Sequence, residues 1–343
     1  MATLKDIAQR CGVSTATVSY VVNNGPRAVL PETRGRILQA IADLDYHPNA
    51  HARGLRGMKT NTIGVVFPHV VNVPFENGYF GPVLAGIVDV ATQHDKATML
   101  FTAWNWDEAN ASAPRLCDGR CDGFLVVAPL RESQLVADLQ ARRAPVVVIG
   151  THPDGLCVDT VDAKNVEGAR LAVRHLARLG HRRIAALIGW TQRTSASERL
   201  QGFRAELADL NIPVEESMIQ VFQDCVGAPV SELIFNLLSG PNPRPTGIFC
   251  AQDGIAEEVI AIANELGIRV PQDLSVVGFD DISRAASFSP PLTTIRQPMR
   301  EIGFRSAELL CERIENPAGI PRDIYFDVHL IERSSTAPPP GGI

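Results

Sequence analysis

From residue 60 onward the chain alternates short apolar runs with amphipathic stretches. The runs are "TIGVVFP", "ATMLFTA", "CDGFLVVAP", "APVVVIG", "RRIAALIG", "MIQVFQ", "TGIFCAQD" and "LSVVGFDD". Continuous apolar runs between helices are the pattern of parallel strands buried on both faces. Two such blocks, about 62–160 and 163–290, predict two similar α/β lobes. The strand-rich stretches "TTIRQP" and "RDIYFDVHLIERSS" are expected to cross back and complete the lobes, and the closing "TAPPPGGI" reads as a disordered end. A chain of 343 residues exceeds one comfortable core, so more than one domain is expected.

Open α/β sheets bind ligands beyond the carboxyl ends of their strands, and two lobes make a cleft that can close on a small molecule. Polar and aromatic groups just after the runs are therefore the candidates. Tyr79 and Phe80 follow the loop after the first run, and Arg199 follows "RRIAALIGW". Gln252 and Asp253 end "GIFCAQD", and Asp280 and Asp281 end "LSVVGFDD". Asp122 and Gly123 begin a run and so lie at the wrong end. Arginine offers a rigid fork of donors, aspartate accepts hydroxyl hydrogens, and an aromatic face packs on C–H surfaces. That chemistry suits a polyhydroxylated ligand. An enzyme is the least favoured reading, because the sequence holds no Gly-x-Ser-x-Gly, no P-loop and no convincing nucleotide fingerprint.

The first 59 residues differ in charge from the rest. They carry eight Lys/Arg against four acids, while the whole chain has a net charge of −6. A basic head on an acidic body is an electrostatic footprint for nucleic acid. In "TLKDIAQRCG", Leu4, Ile7, Ala8 and Cys11 form one helical stripe, Thr3 and Asp6 supply a capping box, and Gly12 ends the helix. Ser14 caps a second helix, "TATVSYVV", in which Val18, Val21 and Val22 form the buried stripe and Ala16 and Tyr20 face outward. "PETRGRILQAIADLDY" makes a third, with Pro31 at its first position and Ile37, Leu38, Ile41 and Leu44 on one face. Three short helices with so tight a turn describe a helix-turn-helix unit, whose second helix enters the DNA major groove.

"LKDIAQRCGVSTATVSYVVNN" followed by "PETRGRILQAIADLDYHPNAHARGLR" closely resembles the DNA-binding head of the LacI/GalR (lactose-repressor) family of bacterial transcription regulators. In the body, "DAKNVEGARLAVRHLARLGHRRIAALIG", "SERLQGF", "FCAQD" and "VPQDLSVVGFDDISRAASFSPPLTTIRQP" resemble the landmarks of the same family in order. The resemblance implies an all-α helix-turn-helix head with a hinge helix, and a two-lobed periplasmic-binding-protein-like body with parallel sheets. It divides the chain into a head (1–48), a hinge (49–59), an effector-binding and dimerisation body (60–335) and a disordered tail (336–343). It places Thr15, Ala16 and Tyr20 at bases, and Ser14, Thr17, Ser19 and Asn23 near phosphates. Leu55, in the hinge-like "NAHARGLRG", would wedge into the minor groove when two copies meet on DNA. Arg199 and Asp280 fall on the family's effector-binding arginine and aspartate. Gln252 stands where asparagine is usual, and Tyr79 and Phe80 resemble the aromatic wall.

The expected protein is thus a ligand-controlled regulator, a repressor, binding a pseudo-palindromic double-stranded operator as a homodimer, with a tetramer left open. A sugar is the first expectation for its small-molecule effector; a nucleoside or a protein co-regulator is the alternative. No cofactor is expected. The seven cysteines are scattered and the histidines unclustered, which points to reduced thiols and no metal site. The sequence lacks an apolar secretory leader and any run of about 18 apolar residues, so a cytoplasmic location without a membrane span is expected.

Overall fold

A computed structural model describes residues 2–22, 28–46, 59–68, 78–103, 106–222, 228–240 and 243–340. The chain divides into two compact units, Met1–Thr60 and Asn61–Ile343.

The first unit holds α1 (Leu4–Cys11), α2 (Thr15–Val22) and α3 (Pro31–Asp43). The capping box of α1 is formed: Thr3 Oγ1 accepts from the Asp6 N–H, and the Asp6 carboxylate accepts from the Thr3 N–H at 2.8 Å. Gly12 ends the helix in the left-handed region at φ 66°, a conformation glycine adopts without a Cβ penalty. Ile7, Ala8, Cys11, Val18, Val21, Ile37 and Ala40 make the core, and an Arg10–Asp43 ion pair at 2.6 Å fastens α1 to the end of α3. Val22, like Leu4, Ile41 and Leu44, is half-buried against this core, whereas Leu38 departs from the expected stripe: it is 48% exposed, one helical step of about 100° beyond the Ile37 face.

The second unit has two six-stranded sheets. The first runs in the order β11-β5-β4-β3-β1-β2 and is wholly parallel. Its strands are β1 (Thr62–Pro68), β2 (Ala97–Ala103), β3 (Gly123–Val127), β4 (Val146–Ile149), β5 (Asp159–Ala163) and β11 (Asp323–Phe326). The second runs β12-β10-β9-β8-β6-β7, parallel except where β12 meets β10. It comprises β6 (Ile184–Ile188), β7 (Ile219–Val221), β8 (Gly247–Cys250), β9 (Ser275–Asp280), β10 (Thr293–Arg296) and β12 (His329–Ile331). The eight apolar runs are eight of these strands. β5, "DTVDA", was not among them, because its two aspartates break the apolar pattern although the strand is buried throughout.

Helices cover both sheets. In order they are α4 (Phe80–Gln93), α5 (Trp106–Asn110), α6 (Ala113–Leu116), α7 (Gln134–Ala141), α8 (Asn165–Arg178), α9 (Thr194–Asp209), α10 (Ala228–Ser239), α11 (Asp253–Glu265) and α12 (Met299–Glu315). The chain passes between lobes three times: between β5 and α8, between β10 and α12, and between β11 and β12. In the first lobe α4 and α12 touch backbone to backbone. A Cβ on Gly303 would lie 2.0 Å from the Val83 carbonyl oxygen, and one on Gly86 2.0 Å from that of Arg300. In the second lobe Gly202 of α9 plays the same part against the Val166 carbonyl of α8, at 2.2 Å.

The expected disorder of the tail does not hold for its described part. Thr336 Oγ1 hydrogen-bonds His175 Nε2 at 3.0 Å, and the Ala337 carbonyl accepts from Ser275 Oγ at 2.9 Å. The first satisfies a buried imidazole nitrogen of the second lobe, and the second ties the tail into the Ser275–His181 pair. Residues 341–343 lie outside the described residues.

Candidate functional site

Two sites emerge, one on each unit. On the first, Ser14 Oγ accepts from the Thr17 N–H at 3.1 Å and so caps α2. Ser14, Thr15 and Ala16 are exposed around that first turn, while Thr17, Ser19 and Tyr20 are half-buried. Thr17 also shares a hydroxyl hydrogen bond with Ser14 at 2.9 Å, so both side chains organise the helix start. A helix N-terminus with its residues exposed is the part of a recognition helix that meets base edges. Asn23 and Leu55 lie outside the described residues.

On the second unit, the loops after the strands' carboxyl ends converge. Tyr79, Phe80, Asp162, Arg193, Arg199, Gln252, Asp280 and Gln297 line one small cavity of about 50 Å³ between the lobes. All five effector-site candidates read from the sequence are therefore brought together. A larger groove, about 760 Å³, runs along the outer flank of α11, past Glu257 and Phe288, away from the strand ends.

Arg199 is the hub. It is buried, with its guanidinium over the Phe279 ring at 3.6 Å from the centroid. Its Nε donates to Asn165 Oδ1 at 2.9 Å and its Nη1 to the Ala251 carbonyl at 2.5 Å, while Asp280 Oδ1 stands 3.5 Å away. Gln297 Nε2 donates to that same Asp280 oxygen at 2.6 Å. Asp280 holds φ 118° and Asp281 φ 56°, two successive non-glycine residues in a region that costs backbone strain. Asp281 pairs with Arg296 and Arg333, each at 2.6 Å. Asp253 is buried too, accepting from the Ile282 N–H and the Thr294 hydroxyl. The aromatic wall is an edge-to-face pair, Tyr79 on Phe80 at 5.5 Å, with the Tyr79 hydroxyl close against Gly150.

Burial sets the protonation of the site. It pushes Asp162 up to about 7, against the opposing pull of the Ala163 N–H, and pushes Asp280 up to about 6, against the pull of Arg199. Tyr79 is likewise raised by burial. A carboxyl whose folded value is raised stabilises the fold below its unfolded value and loses that contribution as pH rises through the folded value. The body is therefore expected to lose stability between about pH 4 and pH 7 through Asp162. Asp162→Asn should flatten the slope, so that its melting temperature gains on the wild type at pH 8 relative to pH 5. Equal slopes in the two proteins would contradict this.

Sequence reasoning missed Asp162, Arg193, Ser195 and Gln297. Asp162 is near the end of β5 and Gln297 directly follows β10, so the carboxyl-end rule applied more evenly would have found these two; Arg193 and Ser195 stand at the start of α9, beyond the loop after β6. Two buried atoms on the lining lack hydrogen-bond partners among the described residues: Arg193 Nε and Gln297 Oε1. Unpaired buried polar atoms are rare, and a donor and an acceptor on two residues that line one cavity are groups a bound ligand could satisfy.

Comparison with known proteins adds the following. Residues 3–49 match the model for bacterial regulatory proteins of the lacI family, and residues 173–336 match a periplasmic binding protein-like domain. A curated relative, the HTH-type transcriptional repressor PurR of Aliivibrio fischeri, is 34% identical over 339 residues, spanning 98% of each chain. The fold matches the lac repressor dimer bound to operator and the anti-inducer ONPF with a TM-score of 0.82 and 28% identity, covering 98% of this chain and 99% of that one. It matches the transcriptional regulator CelR in complex with cellobiose with a TM-score of 0.74 and 28% identity, over 98% and 100%. The chain therefore belongs to the lacI family of bacterial regulatory proteins, as a DNA-binding transcriptional repressor and not an enzyme.

Proposed function

We propose that this repressor binds a pseudo-palindromic operator as a homodimer, and that a small heterocycle of the nucleobase or nucleoside type, in place of the sugar expected from sequence, sets its operator affinity. The observation that carries the reading is a cavity lined by both Arg193 and Gln297, each of which keeps one buried polar atom, Nε and Oε1, without a partner. A flat ring with an acceptor beside a donor would satisfy both, with Tyr79 and Phe80 as its apolar wall. The 34% identity to a repressor named PurR, against 28% to CelR, points the same way.

In this reading Arg199 and Asp280 bind the ligand's polar edge and Gln252 lies beside it. Thr15, Ala16 and Tyr20 face bases. Ala16 and the Thr15 methyl suit thymine methyl groups, and Tyr20 donates one hydrogen bond. Ser14, Thr17, Ser19 and Asn23 position the head on phosphates, and Leu55 wedges the operator centre. Residues 1–48 act as the head, 49–59 as the hinge and 60–335 as the effector-binding and dimerisation body. Effector binding shifts operator affinity by its differential affinity for two body states, typically about 5- to 150-fold.

The test is fluorescence anisotropy on palindromic DNA in fixed salt, with hypoxanthine, adenine, inosine, D-ribose and cellobiose as probes. Expected is a change in operator affinity with at least one base or nucleoside and none with either sugar. A response to ribose or cellobiose alone would refute the ligand class.

A further inference from the structure

The cleft carries more acid than base. Asp162 and Asp280 stand on its lining, and Glu198 reaches the same cluster through Asn165, whose Nδ2 donates to Glu198 Oε2 at 3.1 Å. Against them, the cations on the lining are Arg193 and Arg199 among the described residues. Arg199 is already committed to Asn165, the Ala251 carbonyl, Asp280 and the Phe279 ring. Asp162 is 2% exposed, and both of its oxygens are held by neutral donors. Oδ1 accepts from the Ala163 N–H at 2.7 Å and Oδ2 from Asn165 Nδ2 at 3.2 Å.

We infer that Asp162 is a specificity-determining residue that turns away phosphorylated forms of the effector, so that the cleft takes an uncharged or cationic ligand. This rests on the cleft being the effector site proposed above. That a ligand occupies this place at all has its own sign: Gln297 is 3% exposed, lines the cavity, and keeps Oε1 unpartnered while its Nε2 holds Asp280.

A phosphate entering here brings negative charge into a poorly solvated space beside carboxyls from both lobes. Like charges brought together at close quarters cost several kcal/mol and so discriminate against a wrong ligand. Arg199 already stands against Asp280, so among the described residues Arg193 is the one lining cation without a carboxylate partner, and one guanidinium does not offset Asp162 and a phosphate together.

The groups that face Asp162 are Tyr79 at the start of α4, Asn165 of α8, Glu198 and Arg199 of α9, and Tyr325 of β11, with Asp280 across the cavity. Burial raises Asp162 to about 7 and Asp280 to about 6, so both carry their charge at pH 8 and shed much of it near pH 6.

The experiment is calorimetric titration of the full-length protein with inosine and with inosine 5′-monophosphate, in wild type and Asp162→Asn, at pH 8 and pH 6. In the wild type at pH 8 the monophosphate should bind about 100-fold more weakly than inosine, or worse. In Asp162→Asn that ratio should narrow by about 10-fold at pH 8. The difference between the two proteins should shrink at pH 6, where both Asp162 and the monophosphate carry less charge. Equal binding of both probes by the wild type, or an unchanged ratio in a variant that still binds inosine, overturns the inference. Failure of the wild type to bind inosine, hypoxanthine or ribose overturns the reading of the cleft itself, and the inference with it. Should Asp162→Asn not fold, Glu198→Gln reads the same ratio from the neighbouring charge, with a smaller narrowing expected; no narrowing there overturns the proposal.

Discussion

Arg199→Leu is expected to abolish the effector response while leaving a repressor that still binds its operator. Truncating one partner of a buried, hydrogen-bonded charge pair costs about 2–5 kcal/mol in affinity, so effector binding should weaken about 30-fold or more. Operator affinity should then stay fixed as effector is added, which anisotropy reads directly. The body should suffer as well, because Asp280 is left buried beside no cation, a loss of about 3–5 kcal/mol. That loss has a pH signature. Arg199 pulls Asp280 down, so removing it lets burial raise the carboxyl further. The variant's deficit should therefore be larger at pH 8 than at pH 5, where Asp280 is neutral. Adding Asp280→Asn should recover stability at pH 8 and not effector binding. If the double variant regained effector control, Arg199 would be a stability residue only.

Gly303→Ala should be among the most damaging single-methyl changes in the body. The added Cβ would meet the Val83 carbonyl at 2.0 Å, and a backbone atom cannot swing aside as a side chain can. The α4–α12 pair must separate, and overpacking of this kind costs about 3 kcal/mol or slightly more. Urea unfolding followed by tryptophan fluorescence measures it. Gly254→Ala in α11 is the control, since nothing lies within 4 Å of its Cβ. That change should be neutral or stabilise by up to about 1 kcal/mol, as alanine is the better helix former. Equal effects at the two positions would remove the close-packing argument.

The fold was largely legible because its signals are local. Thr3, Asp6, Gly12 and Ser14 punctuate the head within a dozen residues, and each acts as its chemistry dictates. The strands were legible where burial on both faces demanded unbroken apolar runs. β5 was not, because Asp159 satisfies Arg313 at 2.7 Å and Asp162 serves the cleft. A buried strand that carries charge for two separate purposes looks like a loop to any reading of hydrophobicity. Arg199 and Asp280 were found through the family's motifs, yet the partners that give them meaning were not. Asn165 and Gln297 sit 34 and 17 residues away from the groups they hold, and no spacing rule links such positions. The tail misled for a related reason. "TAPPP" has the composition of a free end, but Thr336 and Ala337 complete hydrogen bonds to His175 and Ser275 that are invisible until the chain has folded.

The three passages of the chain between lobes bear on how the molecule can be taken apart. Neither lobe is a continuous stretch of sequence, so no single truncation yields one without the other. A protease that nicks one passage leaves two covalent tethers, and the cut protein should still migrate as one particle and keep its cleft. The tethers also filter motion: three spans side by side permit rocking about the line that joins them, but resist one lobe sliding across the other. Lys164 and Asp327, paired at 2.5 Å, strap the first passage to the third, so these two should bend as one. Gene dissection will therefore succeed only by cutting at all three places at once.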